Sequence, residues 1–101
     1  MFCCEVLRDL AEHAGKRGFS VVAREESGFR YFCLEARACD WQDEPKMRNI
    51  PYDCDVPRPL TVAMQIGIQY CPGCGSRLDA IITMHESEFG EFLEKCRGFC
   101  L

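Results

Sequence analysis

The sequence predicts an α+β fold, a small three-stranded antiparallel sheet with an N-terminal and a C-terminal helix, on three observations. Apolar residues recur at helical spacing near both ends of the chain, and they alternate one by one in its middle. Between the last alternating run and the last helical one stands Tyr70-Cys71-Pro72-Gly73-Cys74-Gly75-Ser76-Arg77-Leu78, two thiols two residues apart in a glycine-containing turn. That turn is half of a metal site. Its other half has to come from elsewhere in the chain.

With 101 residues, 48% of them hydrophobic, the sequence fits one domain over 1–101, with a modest core that a metal can reinforce. A formal charge of -4 and a pI near 5.1 argue against a protein that grips phosphate backbones. The six basic residues before Cys39 are matched by six acidic ones, so no basic stripe forms there. Nine cysteines would suit a disulfide scaffold, but Met1-Phe2-Cys3-Cys4-Glu5-Val6-Leu7-Arg8-Asp9 lacks the basic start and apolar run of a secretory leader. The expectation is a cytoplasmic protein with thiolate ligands rather than bridges. No apolar run is long enough to span a bilayer.

In the first element, Cys3, Val6, Leu7, Leu10, Ala11 and Ala14 fall on one face of a helix, with Arg8, Asp9, Glu12 and His13 opposite and Gly15 as the stop. Phe19 to Arg24 and Phe29 to Ala38 read as two strands joined by the hairpin link Glu25-Glu26-Ser27-Gly28. In the second strand Phe32, Leu34, Ala36 and Ala38 are the better core face, which leaves Tyr31, Cys33, Glu35 and Arg37 on the polar side. From 39 to 59 the periodicity is lost and Pro45, Pro51, Pro57 and Pro59 intervene, which predicts a long irregular loop without regular helix. Trp41 and Tyr52 are its candidate partner-facing aromatics.

Leu60 to Tyr70 is the clearest strand, with Val62, Met64, Ile66, Ile68 and Tyr70 making one wholly apolar face. Ala80-Ile81-Ile82 is short and ambiguous, either a return strand or the start of the last helix. Thr83-Met84-His85-Glu86 has the pattern of a capping box, and a helix from about Met84 to Arg97 then places Phe89, Phe92, Leu93, Cys96 and Cys100 on one stripe.

A structural zinc takes four ligands, so Cys71 and Cys74 need two more. Cys3 and Cys4 are the first choice, because free amides and the dipole at a helix start favour thiolates. Cys33, Cys39, Cys54 or His85 can replace one of them. Gly73 and Gly75 are expected to supply the positive or strained φ angles of the turn.

The N-terminal Cys3-Cys4-Glu5, the stretch from Tyr70 to Leu78 and, more loosely, Phe89-Gly90-Glu91-Phe92-Leu93-Glu94-Lys95-Cys96 resemble short uncharacterised zinc-ribbon-like proteins of bacteria and their phages. The resemblance implies a zinc-ribbon-like site held by Cys3, Cys4, Cys71 and Cys74, and it implies no activity. The long Pro-containing loop and the extra cysteines depart from that pattern.

No nucleophile triad, phosphate loop or paired-carboxylate motif is present, and neither His13 nor His85 completes a zinc-deaminase signature. The expected function is a non-enzymatic zinc-binding protein that engages another protein, as an accessory of a phage or mobile element would engage a host protein. Neither a membrane nor a small-molecule substrate is expected. The alternatives are a nucleic-acid-associated zinc ribbon using Arg17, Arg24, Arg30 and Arg37, and a thiol-disulfide oxidoreductase using Cys71 and Cys74.

Overall fold

A two-residue turn sets the geometry of the sheet. Ser27 and Gly28 have φ of 51° and 80°, and two positive values in succession define the hairpin turn whose twist matches that of the strands it joins. Strand β1 (Gly18–Glu26) therefore pairs antiparallel with β2 (Phe29–Arg37) along its whole length, from Gly18 opposite Arg37 to Glu26 opposite Phe29. Strand β3 (Ala63–Ile68) lies on the other side of β2, from Phe32 opposite Ile68 to Arg37 opposite Ala63, so the sheet order is β1-β2-β3. The computed structural model describes residues 1–48 and 63–98.

Four helices complete the fold: α1 (Glu5–Glu12), α2 (Glu44–Arg48), α3 (Leu78–Met84) and α4 (Glu86–Arg97). α1 and α4 pack on β1, and α3 packs on β2. Phe32 is at the centre of the core. It is fully buried, with the Phe89 ring edge-on at 5.1 Å and the Phe92 ring at 6.3 Å. Leu7 and Ala11 from α1, Val21 and Ala23 from β1, Leu78 and Ile81 from α3, and Leu93 and Cys96 from α4 close around it. The α+β class, the antiparallel sheet and the two terminal helices are as the sequence predicts.

Several local expectations are corrected. The irregular 39–59 loop contains α2, because Pro45 is in the first turn of that helix, where its missing N–H costs nothing. Ala80, Ile81 and Ile82 belong to a separate helix, α3, which also includes Thr83, whose hydroxyl donates to the Asp79 carbonyl at 3.0 Å. No capping box forms. α4 starts at Glu86 after His85, which makes no side-chain cap and closes α3 with the same backbone. β3 ends at Ile68 rather than at Tyr70, and Leu60, Thr61 and Val62 lie outside the described residues, as do Tyr52, Cys54 and Cys100.

Both faces of the sheet contribute to the interior. Residues directly opposite one another share a face, so Phe19, Ala36 and Met64 form one row and Val21, Leu34 and Ile66 the next. On that face Val21, Ala23 and Phe32 are buried, while Phe19, Met64 and Ile66 are 69%, 67% and 65% exposed.

The face expected to be polar and open is polar and closed. Cys33 is buried in the core, and Glu35 and Arg37 are buried as a pair, with Arg37 Nε donating to Glu35 at 2.6 Å. The Gln65 amide donates to the other Glu35 oxygen and accepts from Arg24 Nε at 2.9 Å, while Arg37 reaches Glu44 of α2 at 3.3 Å. A charge can be buried here because its partners arrive from neighbouring strands and from α2.

Candidate metal centre

Residues distant in sequence meet where the chain leaves β3. Tyr70 and Arg77 form an isolated bridge, and the Leu78 N–H donates to the Gln69 carbonyl at 2.9 Å, so the segment between them is pinched into a loop. Within that loop the Cys71 N–H donates to the Ser76 carbonyl at 2.8 Å and the Gly75 N–H to the Cys71 carbonyl at 3.0 Å. Gly75 has φ of 78°, which glycine adopts without strain.

The N-terminal segment is set against this loop by α1 and by Phe2, whose ring meets the Phe92 ring edge-on at 6.1 Å. Cys4 is the extended N-cap residue of α1, and both it and Cys3 reach the loop, Cys4 at Cys71 and Cys3 at Cys74. Gly73 does not have the positive φ expected of it. It is needed for proximity instead, since a Cβ there would lie 2.6 Å from Val6 Cβ and 2.9 Å from Cys4 Sγ.

The Sγ atoms of Cys3, Cys4, Cys71 and Cys74 all lie within 4.8 Å of one another, and they are the cluster able to hold a metal ion among the described residues. Cys4 and Cys71 are 3.5 Å apart and Cys3 and Cys74 3.2 Å. Four sulfurs about 2.3 Å from a tetrahedral ion are about 3.8 Å from one another, so the observed spacing fits such an ion with small adjustments. The Gly73 N–H points at Cys71 Sγ at 3.4 Å, and the Ser76 hydroxyl is 3.2 Å from Cys74 Sγ. The four sulfurs form two pairs of different access. Cys71 is buried and Cys4 half-buried, whereas Cys3 and Cys74 are exposed.

Hydrogen bonds from Ser76, and then from Cys3, pull the Cys74 thiol down to about 6. Desolvation, and then the neighbouring Cys74 and Cys71 sulfurs, push Cys3 up to about 12. Within the Cys3–Cys74 pair the two sulfurs are thus shifted in opposite directions, and a cation binding the thiolates would compete with protons.

The alternative ligands lie elsewhere. Cys33 and Cys39 are buried apart from the cluster, and Cys54 is outside the described residues. His85 sits at the α3–α4 junction with Nδ1 3.4 Å from Glu88. The arginines of the nucleic-acid alternative are largely engaged within the chain. Arg24 and Arg37 belong to the Glu35 network, and Arg30 donates to Glu25 at 2.8 Å beside the Phe89 ring.

For the oxidoreductase alternative the first cysteine of the pair should be open and at a helix start. Here Cys71 is buried, α3 begins only at Leu78, and the accessible sulfur is the second one. Ser76 had no sequence signal beyond its nearness to Cys74.

No helix among the described residues is long and apolar enough to cross a membrane. No family model, curated protein or solved structure matches this chain.

Proposed function

We propose that this chain is a non-enzymatic zinc-binding protein that uses the ion as a structural clasp and the open part of its sheet to engage another protein. The observation that carries the zinc reading is the convergence of four thiol sulfurs within 4.8 Å. Four thiolates in tetrahedral array suit a soft ion without geometric preference of its own, and an all-protein ligand set leaves no position for substrate. The resemblance to zinc-ribbon-like proteins supports the same assignment.

Support for the partner comes from Phe19, Met64 and Ile66, three large exposed apolar side chains on one sheet face. Soluble chains rarely leave such side chains grouped unless something covers them. The acidic balance and the internal engagement of Arg24, Arg30 and Arg37 favour a protein over a nucleic acid.

The test is a pull-down from the native host with the wild-type chain and with a Met64→Glu/Ile66→Glu double variant, after metal analysis of both. One zinc per chain in both proteins, with a stoichiometric protein partner retained only by the wild type, is the expected result. Recovery of nucleic acid alone by both would remove the partner reading, and a chain purified or reconstituted without zinc would remove the clasp.

A further inference from the structure

The clasp is built with its two sulfur pairs at different depths. Cys4 and Cys71, 3.5 Å apart, face the core, and Cys71 also receives the Gly73 N–H. Cys3 and Cys74, 3.2 Å apart, face solvent. One exposed partner comes from the N-terminal segment and the other from the loop, so the outer pair spans the same two segments that the ion would hold together. Cys33, Cys39 and Cys96 are buried and out of reach of a soluble oxidant.

We propose that the site is a peroxide-responsive switch in which the outer pair, Cys3 and Cys74, is oxidised to a disulfide and the metal is released. This inference rests on the zinc reading given above. The Cys74 thiolate attacks hydrogen peroxide; an S–O bond forms, the O–O bond breaks, and hydroxide leaves, so that sulfur is oxidised to the sulfenic acid and peroxide is reduced. The Cys3 thiolate then attacks the sulfenic sulfur; the S–S bond forms, the S–O bond breaks, and a second hydroxide leaves. Two solvent protons convert the two hydroxides to water. Two thiolates and one peroxide have become one disulfide, and Cys4 and Cys71 remain as only two ligands. A two-thiolate site no longer satisfies the ion, which passes to solvent or to another chelator.

The bridge joins residues of the N-terminal segment and the loop, so it replaces one cross-link by another. The oxidised chain therefore keeps the two segments together, whereas removal of zinc by a chelator under reducing conditions leaves them separate.

The experiment uses the full chain loaded with one zinc and treated with hydrogen peroxide in the presence of a chromogenic zinc indicator, with disulfides mapped by non-reducing peptide mass spectrometry. The expected result is release of one zinc per chain, a Cys3–Cys74 bridge as the first disulfide formed, and recovery of bound zinc after dithiothreitol and added metal. A loaded chain that keeps its zinc at peroxide concentrations that oxidise free cysteine overturns the switch and leaves the zinc reading intact. Release with Cys71–Cys74 or Cys4–Cys71 as the first bridge also overturns it. A chain that takes up no zinc overturns both.

Discussion

At the scale of single residues, Gly73 is the most constrained position in the centre. A methyl group there would sit 2.6 Å from Val6 Cβ and 2.9 Å from Cys4 Sγ, so Gly73→Ala must push α1 away from the loop. The expected cost is about 1–3 kcal/mol in urea unfolding of the metal-loaded chain, with weaker zinc retention against a chelator. Trimming the obstacle in a Gly73→Ala/Val6→Ala double variant should recover part of both, which an independent effect of the two sites would not do. Protons should also be visible. Cys74 is held down to about 6 by hydrogen bonds from Ser76 and Cys3, while desolvation and the neighbouring sulfurs push Cys3 up to about 12. Metal uptake near neutral pH should therefore release protons, and affinity should fall as pH falls from 8 to 5 because protons compete for the same sulfurs. Calorimetric titrations in buffers of different ionisation enthalpy check the first, and chelator competition across that range checks the second.

At the scale of elements, Glu35 joins strands and helix through one carboxylate. It accepts from Arg37 of its own strand and from Gln65 of β3, while Arg37 extends to Glu44 of α2. Glu35→Ala leaves a buried guanidinium without its nearest carboxylate and should cost about 3–5 kcal/mol, read as a lowered urea midpoint. This network also marks where the sequence was legible and where it was not. Alternation placed all three strands, and the glycine of the Glu25-Glu26-Ser27-Gly28 link marked the hairpin, although only Ser27 and Gly28 form the turn and Glu25 and Glu26 extend β1. Alternation could not say which face would be buried, since Cys33, Glu35 and Arg37 look polar in isolation and become interior only through partners on β3 and α2. Likewise the Thr83-to-Glu86 spacing matched a capping box, but Thr83 is itself helical, inside α3, and the residue before α4 is His85. The cysteine cluster was legible because metal chemistry restricts residue type and spacing far more tightly than packing does.

For the whole molecule, the clasp and the core are separate sources of stability. The aromatic group around Phe32 lies among β2 and α4, and the four sulfurs tie residues 3 and 4 to residues 71 and 74. Binding of a structural zinc is worth on the order of 10 kcal/mol, as much as the net stability of many small domains. Complete chelation under reducing conditions should therefore lower the melting temperature by tens of degrees or abolish the transition, followed by circular dichroism. An unchanged melt would show that the aromatic core holds the fold alone.

The distance along the chain between the two halves of the centre has a kinetic consequence. Cys4 and Cys71 are 67 positions apart and Cys3 and Cys74 are 71. The β1–β2 hairpin closes over only two residues and can form in microseconds, whereas joining the metal ligands closes about two-thirds of the polypeptide into one loop. During synthesis the first two sulfurs are exposed long before the last two exist. A metal ion captured early can bind only the wrong partners, so productive loading belongs at the end of folding, after the sheet has brought the loop back to the N-terminus.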